Sequence, residues 1–220
     1  MKDAIRSKFH QIHLRMLQEV QDNGMVSYKV RAELENALIP EEVLLSNDEI
    51  MRSSSCLNIL NKKLFKFCAL KTSYICKSLF ESKFFDVINS LDSTSSDISS
   101  LLLSQYHQYS RELDDIIYDF DFAKEDQSVI AAASSCLTAI ARHVSLFEFD
   151  ASAKLDIDAE PSDWDSAFYS SVAVAKCAEW ERNEKAIDIK ARTEFWNWYA
   201  SVAVTDAFEF AMLYIEEQES

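Results

Sequence analysis

His10-x-x-His13 sets two imidazoles one helical turn apart, a spacing that binds zinc when a Cys pair or a Glu completes the ligand set. No such partner stands at ligand spacing, so the pair reads as surface histidines beside an apolar stripe. Asp156-x-Asp158-x-Glu160 resembles the start of a calcium loop. Pro161 occupies the position that needs Gly, however, and Ala167 the position that needs a bidentate Glu. A phosphate-cradling loop needs several glycines, and Gly24 is the only one. No Ser or Cys stands in a nucleophile motif. Neither a metal nor an organic cofactor is expected.

The acidic side chains survive this weighing best. Glu112, Asp114, Asp115, Asp119, Asp121, Glu125 and Asp126 fall within fifteen residues, opposed only by Lys124 and the preceding Arg111. Glu112, Asp115 and Asp119 share one helix face. Like charges at that spacing cost about 0.2–0.5 kcal/mol each, and carboxylates near a helix C-terminus oppose its dipole. Local stability therefore does not account for them. They read as a solvated face, as partners for the lysines of the first half, or as a surface for a basic protein. Asp156, Asp158 and Glu160 form a second acidic group in the loop from Glu148 to Glu160. Arg6 and His13, with six residues between them, match the Arg-x(4–6)-His motif of HEPN-type helical ribonucleases. Here the pair sits on the first helix rather than a late one.

The elements that must position these residues are helices. One Gly and two Pro among 220 residues leave little material for the tight turns of a β-rich fold. A hydrophobic fraction of 48% supports a packed core. Ile5, Phe9, Ile12, Met16 and Val20 recur at helical spacing, and Gly24 ends that helix. A second runs from an N-cap at Ser27 to Leu38 before Pro40. Ser46 with Glu49 reads as a capping box, and the stretch from Cys56 to Leu91 is helical. Its lysines 62, 63, 66, 71, 77 and 83 make it the one basic region. Beyond a Ser/Thr linker at 92–97 come helices marked by Leu102, Tyr106, Tyr109, Leu113 and Ile116, and by Ile130, Ala133, Leu137 and Ile140. Ala131, Ala132, Ser134, Ser135 and Ala139 allow a neighbouring helix close approach. Pro161 suits the first position of another helix, with Asp163 and Asp165 at its positive end. From Glu184 to Glu216, Lys190, Glu194, Asn197, Ser201, Thr205 and Glu209 form one polar stripe on an otherwise apolar helix, which marks it as buried on most sides. The expected fold is all-α, one bundle-like domain over 1–220 of about seven to eight helices, with a possible sub-boundary at 92–97.

Charge is unevenly placed. Residues 1–90 hold 13 Lys and Arg against 11 Asp and Glu, whereas 91–220 hold 9 against 26. So negative a portion repels nucleic acid and anionic lipid and attracts basic partners. The longest uncharged run, Gln127 to Ala141, is 15 residues, short of the about 20 that a bilayer helix needs. Charges at Lys2, Asp3 and Arg6 replace the apolar region of a signal peptide. Five cysteines at unremarkable spacings read as buried, reduced thiols. A bacterial cytoplasmic location is expected.

Arg192-Thr193-Glu194-Phe195-Trp196-Asn197-Trp198-Tyr199, continuing through Ala200 to Ala207, resembles the terminal block of all-helical immunity proteins. These are encoded beside bacterial polymorphic and contact-dependent growth inhibition toxins. The Ala/Ser-rich helix from Ala131 to Ala141 and the segment Ala173-Val174-Ala175-Lys176-Cys177-Ala178-Glu179-Trp180 fit the same picture. The likeness covers about the last hundred residues, and residues 1–90 add no recognised motif. It implies a protein without catalysis that occludes the active site of a cognate toxin, many such toxins being basic nucleases. The acidic residues would then steer association and cover the toxin's nucleic-acid groove. A helical adaptor for another basic protein fits the same surface, and a ribonuclease built on Arg6 and His13 would need a basic RNA-binding face instead. A toxin gene immediately upstream discriminates among these classes.

Overall fold

A computed structural model describes residues 2–37, 47–80, 82–91, 100–119, 127–143, 165–176 and 187–218. Every regular element among them is helical: α1 (Lys2–Asn23), α2 (Tyr28–Ala37), α3 (Asn47–Thr72), α4 (Ser82–Ser90), α5 (Ser100–Asp119), α6 (Ser128–His143), α7 (Ser166–Ala175), α8 (Ile189–Trp198), a π turn (Tyr199–Ala203) and α9 (Val204–Gln218). The protein is all-α. The chain divides into two compact units, one of Met1–Lys63, Glu148–Asp163 and Trp196–Ser220, the other of Leu64–Phe147 and Trp164–Phe195. The Ser/Thr stretch 92–97 lies outside the described residues.

In the first unit, the stripe read from the sequence is the buried face of α1. Ile5, Phe9, Ile12, Met16 and Val20 are all buried, and Phe9 stacks on Phe208 of α9 with ring centroids 3.6 Å apart. The Gly24 N–H donates to the Val20 carbonyl at 2.9 Å, with φ of 72°. That left-handed turn is where a side chain would clash, so the single glycine sits at the helix end that needs it. Ser27 caps α2 by accepting from the Val30 N–H, and the Glu19 carboxylate accepts from the Ser27 N–H at 2.7 Å and hydroxyl at 2.8 Å. Arg31 is buried, donates to the Val26 carbonyl at 2.7 Å and lies over the Trp196 ring.

The second unit is built on α6, whose Ile130, Ala133, Leu137 and Ile140 are buried with the small residues beside them. The small residues do more than permit approach. Ser135 of α6 meets Ser166 and Ser170 of α7 at 2.7 and 2.8 Å, and Ser170 meets Thr72 of α3 at 3.1 Å. Ser166 and Ser170 donate to the Phe65 and Cys68 carbonyls. This is a hydroxyl chain sealed between three helices, each member satisfied, as burial requires. Cys68, Cys76 and Cys136 are buried and free. The hydrogen bond between the Cys76 and Cys136 thiols lowers Cys76, and the same contact together with burial pushes Cys136 well up.

Three element boundaries differ from the expectation. Cys56 to Leu91 is not one helix: α3 ends at Thr72, turns occupy 73–79, and α4 follows. Tyr74, expected on the apolar face, is therefore 68% exposed. The helix expected from Pro161 is described only from Ser166, with Asp165 outside it as N-cap, accepting from the Phe168 N–H at 2.7 Å. Pro161 and Asp163 lie outside the described residues. Last, α8 and α9 are joined through a π turn in which the Val204 N–H reaches back to the Tyr199 carbonyl. That turn holds one extra residue, and the exposed line shifts by one. It runs through Lys190, Glu194, Asn197 and Ser201 as expected, then resumes at Val202, Asp206, Glu209, Leu213 and Glu216, with Thr205 half-buried.

Candidate partner-binding face

The acidic cluster falls on α5, a helix whose two faces are set by its sequence. Tyr109 and Leu113 are buried, and Leu102, Tyr106, Ile116 and Ile117 pack partly buried against the core of the second unit. At 100° per residue this leaves the opposite side to Asp114, Asp115, Tyr118 and Asp119, all exposed. Glu112 is half-buried and accepts from the Gln108 amide at 2.9 Å. No basic residue occupies the last turn of α5, so the helix dipole leaves the carboxylates there uncompensated. Among the described residues no cation pairs with Asp114, Asp115 or Asp119.

The lysines of the first half have other partners. Lys62 is 2% exposed. Lys63 Nζ lies 4.2 Å from the centroid of the Phe210 ring. Lys66 Nζ donates to the Asn89 and Leu91 carbonyls at 2.8 and 2.6 Å, tying α3 to the end of α4. Part of the basic region is thus structural.

One member of the face was not singled out by sequence reasoning. Tyr118 is 90% exposed, one helical turn from both Asp114 and Asp115 and next to Asp119. Its neighbours Ile116 and Ile117 turn inward, and only the phase of α5 against the core places Tyr118 on the outside. An open cleft of about 730 Å³ runs beside the same helix, with His107, Arg111, Glu112 and Asp115 along it. Asp121, Glu125 and Asp126, like Asp156, Asp158 and Glu160, lie outside the described residues.

Arg6 and His13, the alternative chemical pair, are held by packing partners. The Arg6 guanidinium donates to both oxygens of Glu209 at 2.9 and 3.1 Å and lies 3.8 Å from Glu216. His13 Nε2 donates to the Ala200 carbonyl at 2.8 Å, within the π turn, and its ring stacks on Phe9. Both side chains therefore tie α1 to the last helical run. His10 is exposed, and among the described residues no three His, Cys, Asp or Glu side chains converge as a metal site. Among the same residues no helix is long and apolar enough to cross a membrane.

A family model described as immunity protein Imm5 matches residues 14–206. The match takes in most of the first half, where the sequence offered no recognised motif, as well as the aromatic block near the end. No curated protein matches the chain.

Proposed function

Since the chain belongs to the Imm5 immunity protein family, whose members by that description protect against a toxin, we propose that it neutralises a basic, nuclease-type toxin by covering its active site with the acidic face of α5. The supporting observation is the group Asp114, Asp115 and Asp119 around the exposed Tyr118. Three carboxylates at a helix C-terminus cost stability, and no described cation offsets them. A basic partner would offset them on binding. Tyr is enriched among residues that dominate interface energy, because it buries a large rigid area and keeps a polar tip. In this reading Asp121, Glu125 and Asp126 extend the face, and Asp156, Asp158 and Glu160 contribute from a second segment. The chain acts in the bacterial cytoplasm, without a cofactor and without contacting nucleic acid.

Exposed charges act mostly on association rate, whereas buried, hydrogen-bonded pairs act on dissociation. Neutralising Glu112, Asp115, Asp119 and Asp121 as Gln or Asn should slow association with the toxin domain and flatten its dependence on ionic strength. Pairs desolvated on binding should cost about 2–5 kcal/mol each, and those left wet well under about 1 kcal/mol. A quadruple variant that stays folded and binds at the wild-type rate in low salt would return this face to a solvated surface.

A further inference from the structure

A groove of about 440 Å³ opens in the second unit between the turns after α3, the start of α6, the end of α7 and α8, within the range of about 300–1,000 Å³ of ligand sites. Ile75, Val174 and Phe195 give it an apolar lining, and Tyr74 stands exposed at its edge. Lys71 and Lys176, both exposed, also line it. Among the described lining residues the one carboxylate is Glu194, whose Oε1 lies 3.8 Å from Lys190 Nζ. In a chain of net charge −15, this is a cationic, apolar concavity.

Lys176 stands out within it. Its φ of 71° lies in the left-handed region, where it is the one non-glycine among the described residues. Helix ends of this kind usually take Gly or Asn, because a Cβ is disfavoured there. The turn itself is fixed from outside: the Gln127 N–H donates to the Lys176 carbonyl at 3.3 Å, and the Asp188 N–H to the Ala175 carbonyl at 2.9 Å. A glycine would fit the same turn with less strain, so the lysine is explained by what its side chain brings to the groove.

We propose that this groove receives a segment of the toxin in which an aromatic or large aliphatic side chain is flanked by carboxylates; the inference rests on the toxin-binding reading and adds a second contact of opposite sign. The apolar part would fill the floor, and Lys71 and Lys176 would meet the carboxylates. α5 and α6 pack on each other and are joined by residues 120–127. A connection that short makes them antiparallel neighbours, so the acidic end of α5 and the α6 start that borders the groove lie at one end of the pair. A negative face beside a positive groove admits a partner in one orientation, which is how mixed charge gives specificity.

Two experiments separate this inference from the reading it rests on. In the first, the isotope-labelled protein is titrated with acetyl-Asp-Phe-Glu-amide, with acetyl-Lys-Phe-Lys-amide and acetyl-Asp-Ala-Glu-amide as controls. Only the first should shift Tyr74, Val174 and Phe195 saturably, and Lys176→Gly should weaken it by about tenfold while melting at or above the wild-type temperature. Equal binding of the lysine peptide, or no effect of Lys176→Gly, overturns the groove. In the second, association with the toxin domain encoded upstream is compared for wild type, Lys176→Gly and Val174→Asp. Wild type failing to bind overturns the immunity reading itself, whereas all three binding alike overturns the groove alone. A homodimer that Lys176→Gly dissolves would assign the groove to a second copy and overturn the proposal as well.

Discussion

At the scale of single residues, stability and function pull on different side chains. Tyr118 touches little in the free protein, being 90% exposed. Tyr118→Ala should leave unfolding within about 0.5 kcal/mol of wild type, yet weaken toxin binding by 1 kcal/mol or more, roughly fivefold or above. Isothermal titration beside denaturant melts would show both. His13 predicts the reverse. Its hydrogen bond to the Ala200 carbonyl is part-buried, so His13→Ala should cost about 1 kcal/mol of stability and leave toxin binding unchanged. A variant as stable as wild type, or one that fails to bind while folded, would contradict that assignment. Tyr169 adds a dependence on pH. Burial, and next the Asp165 carboxylate, raise its phenol above the ordinary value of 10.0. The folded state therefore holds that proton more tightly than the unfolded chain. Stability is fully present below pH 10 and falls as pH rises from there towards the folded-state pKa. Tyr169→Phe should remove that alkaline decline and nothing else.

At the scale of elements, the π turn decides how the last helical run is wetted. Before it the exposed line is Lys190, Glu194, Asn197 and Ser201; after it, Val202, Asp206, Glu209, Leu213 and Glu216. Deleting Val202 should convert the turn to ordinary α geometry and keep both faces in phase. Deleting Glu209, also exposed, should rotate everything after it by about 100° and pull Ala211 and Met212 out of the core. Thermal melts should find the first variant cooperatively folded and the second far less stable. Comparable melting of the two would mean that the extra residue is not what sets the register. The hydroxyl chain is the other element-scale feature. Ser135→Val removes a hydroxyl shared by Ser166 and Ser170 and adds volume where α6 and α7 are closest. It should cost about 2–3 kcal/mol from an unsatisfied hydroxyl and overpacking together, whereas Ser135→Ala should cost about 1 kcal/mol.

At the scale of the whole molecule, composition determined the class. Far-UV circular dichroism should be predominantly helical, because a chain with one Gly and two Pro has few ways to make hairpins. Periodicity placed the buried faces of α1, α5 and α6 correctly, since a buried stripe at 3.6-residue spacing is a local property. The aromatic block at 192–207 pointed to the immunity family for the same reason: its signal is contiguous. The family match over residues 14–206 nonetheless shows that the first half carries signal too, spread over positions too degenerate to read singly. What the sequence could not supply was phase and partnership. Whether Tyr118 faces water depends on which side of α5 the core accepts, and Tyr74 left the apolar face because α3 stopped at Thr72. Arg6 and His13 look catalytic along the chain, but Glu209 and Ala200, about 190–200 residues away, give them structural tasks. The one-residue shift at 199–203 has no local signature either, because a π turn persists only where contacts on both sides hold it. Local chemistry sets which faces a helix has, and long-range packing sets where each face points.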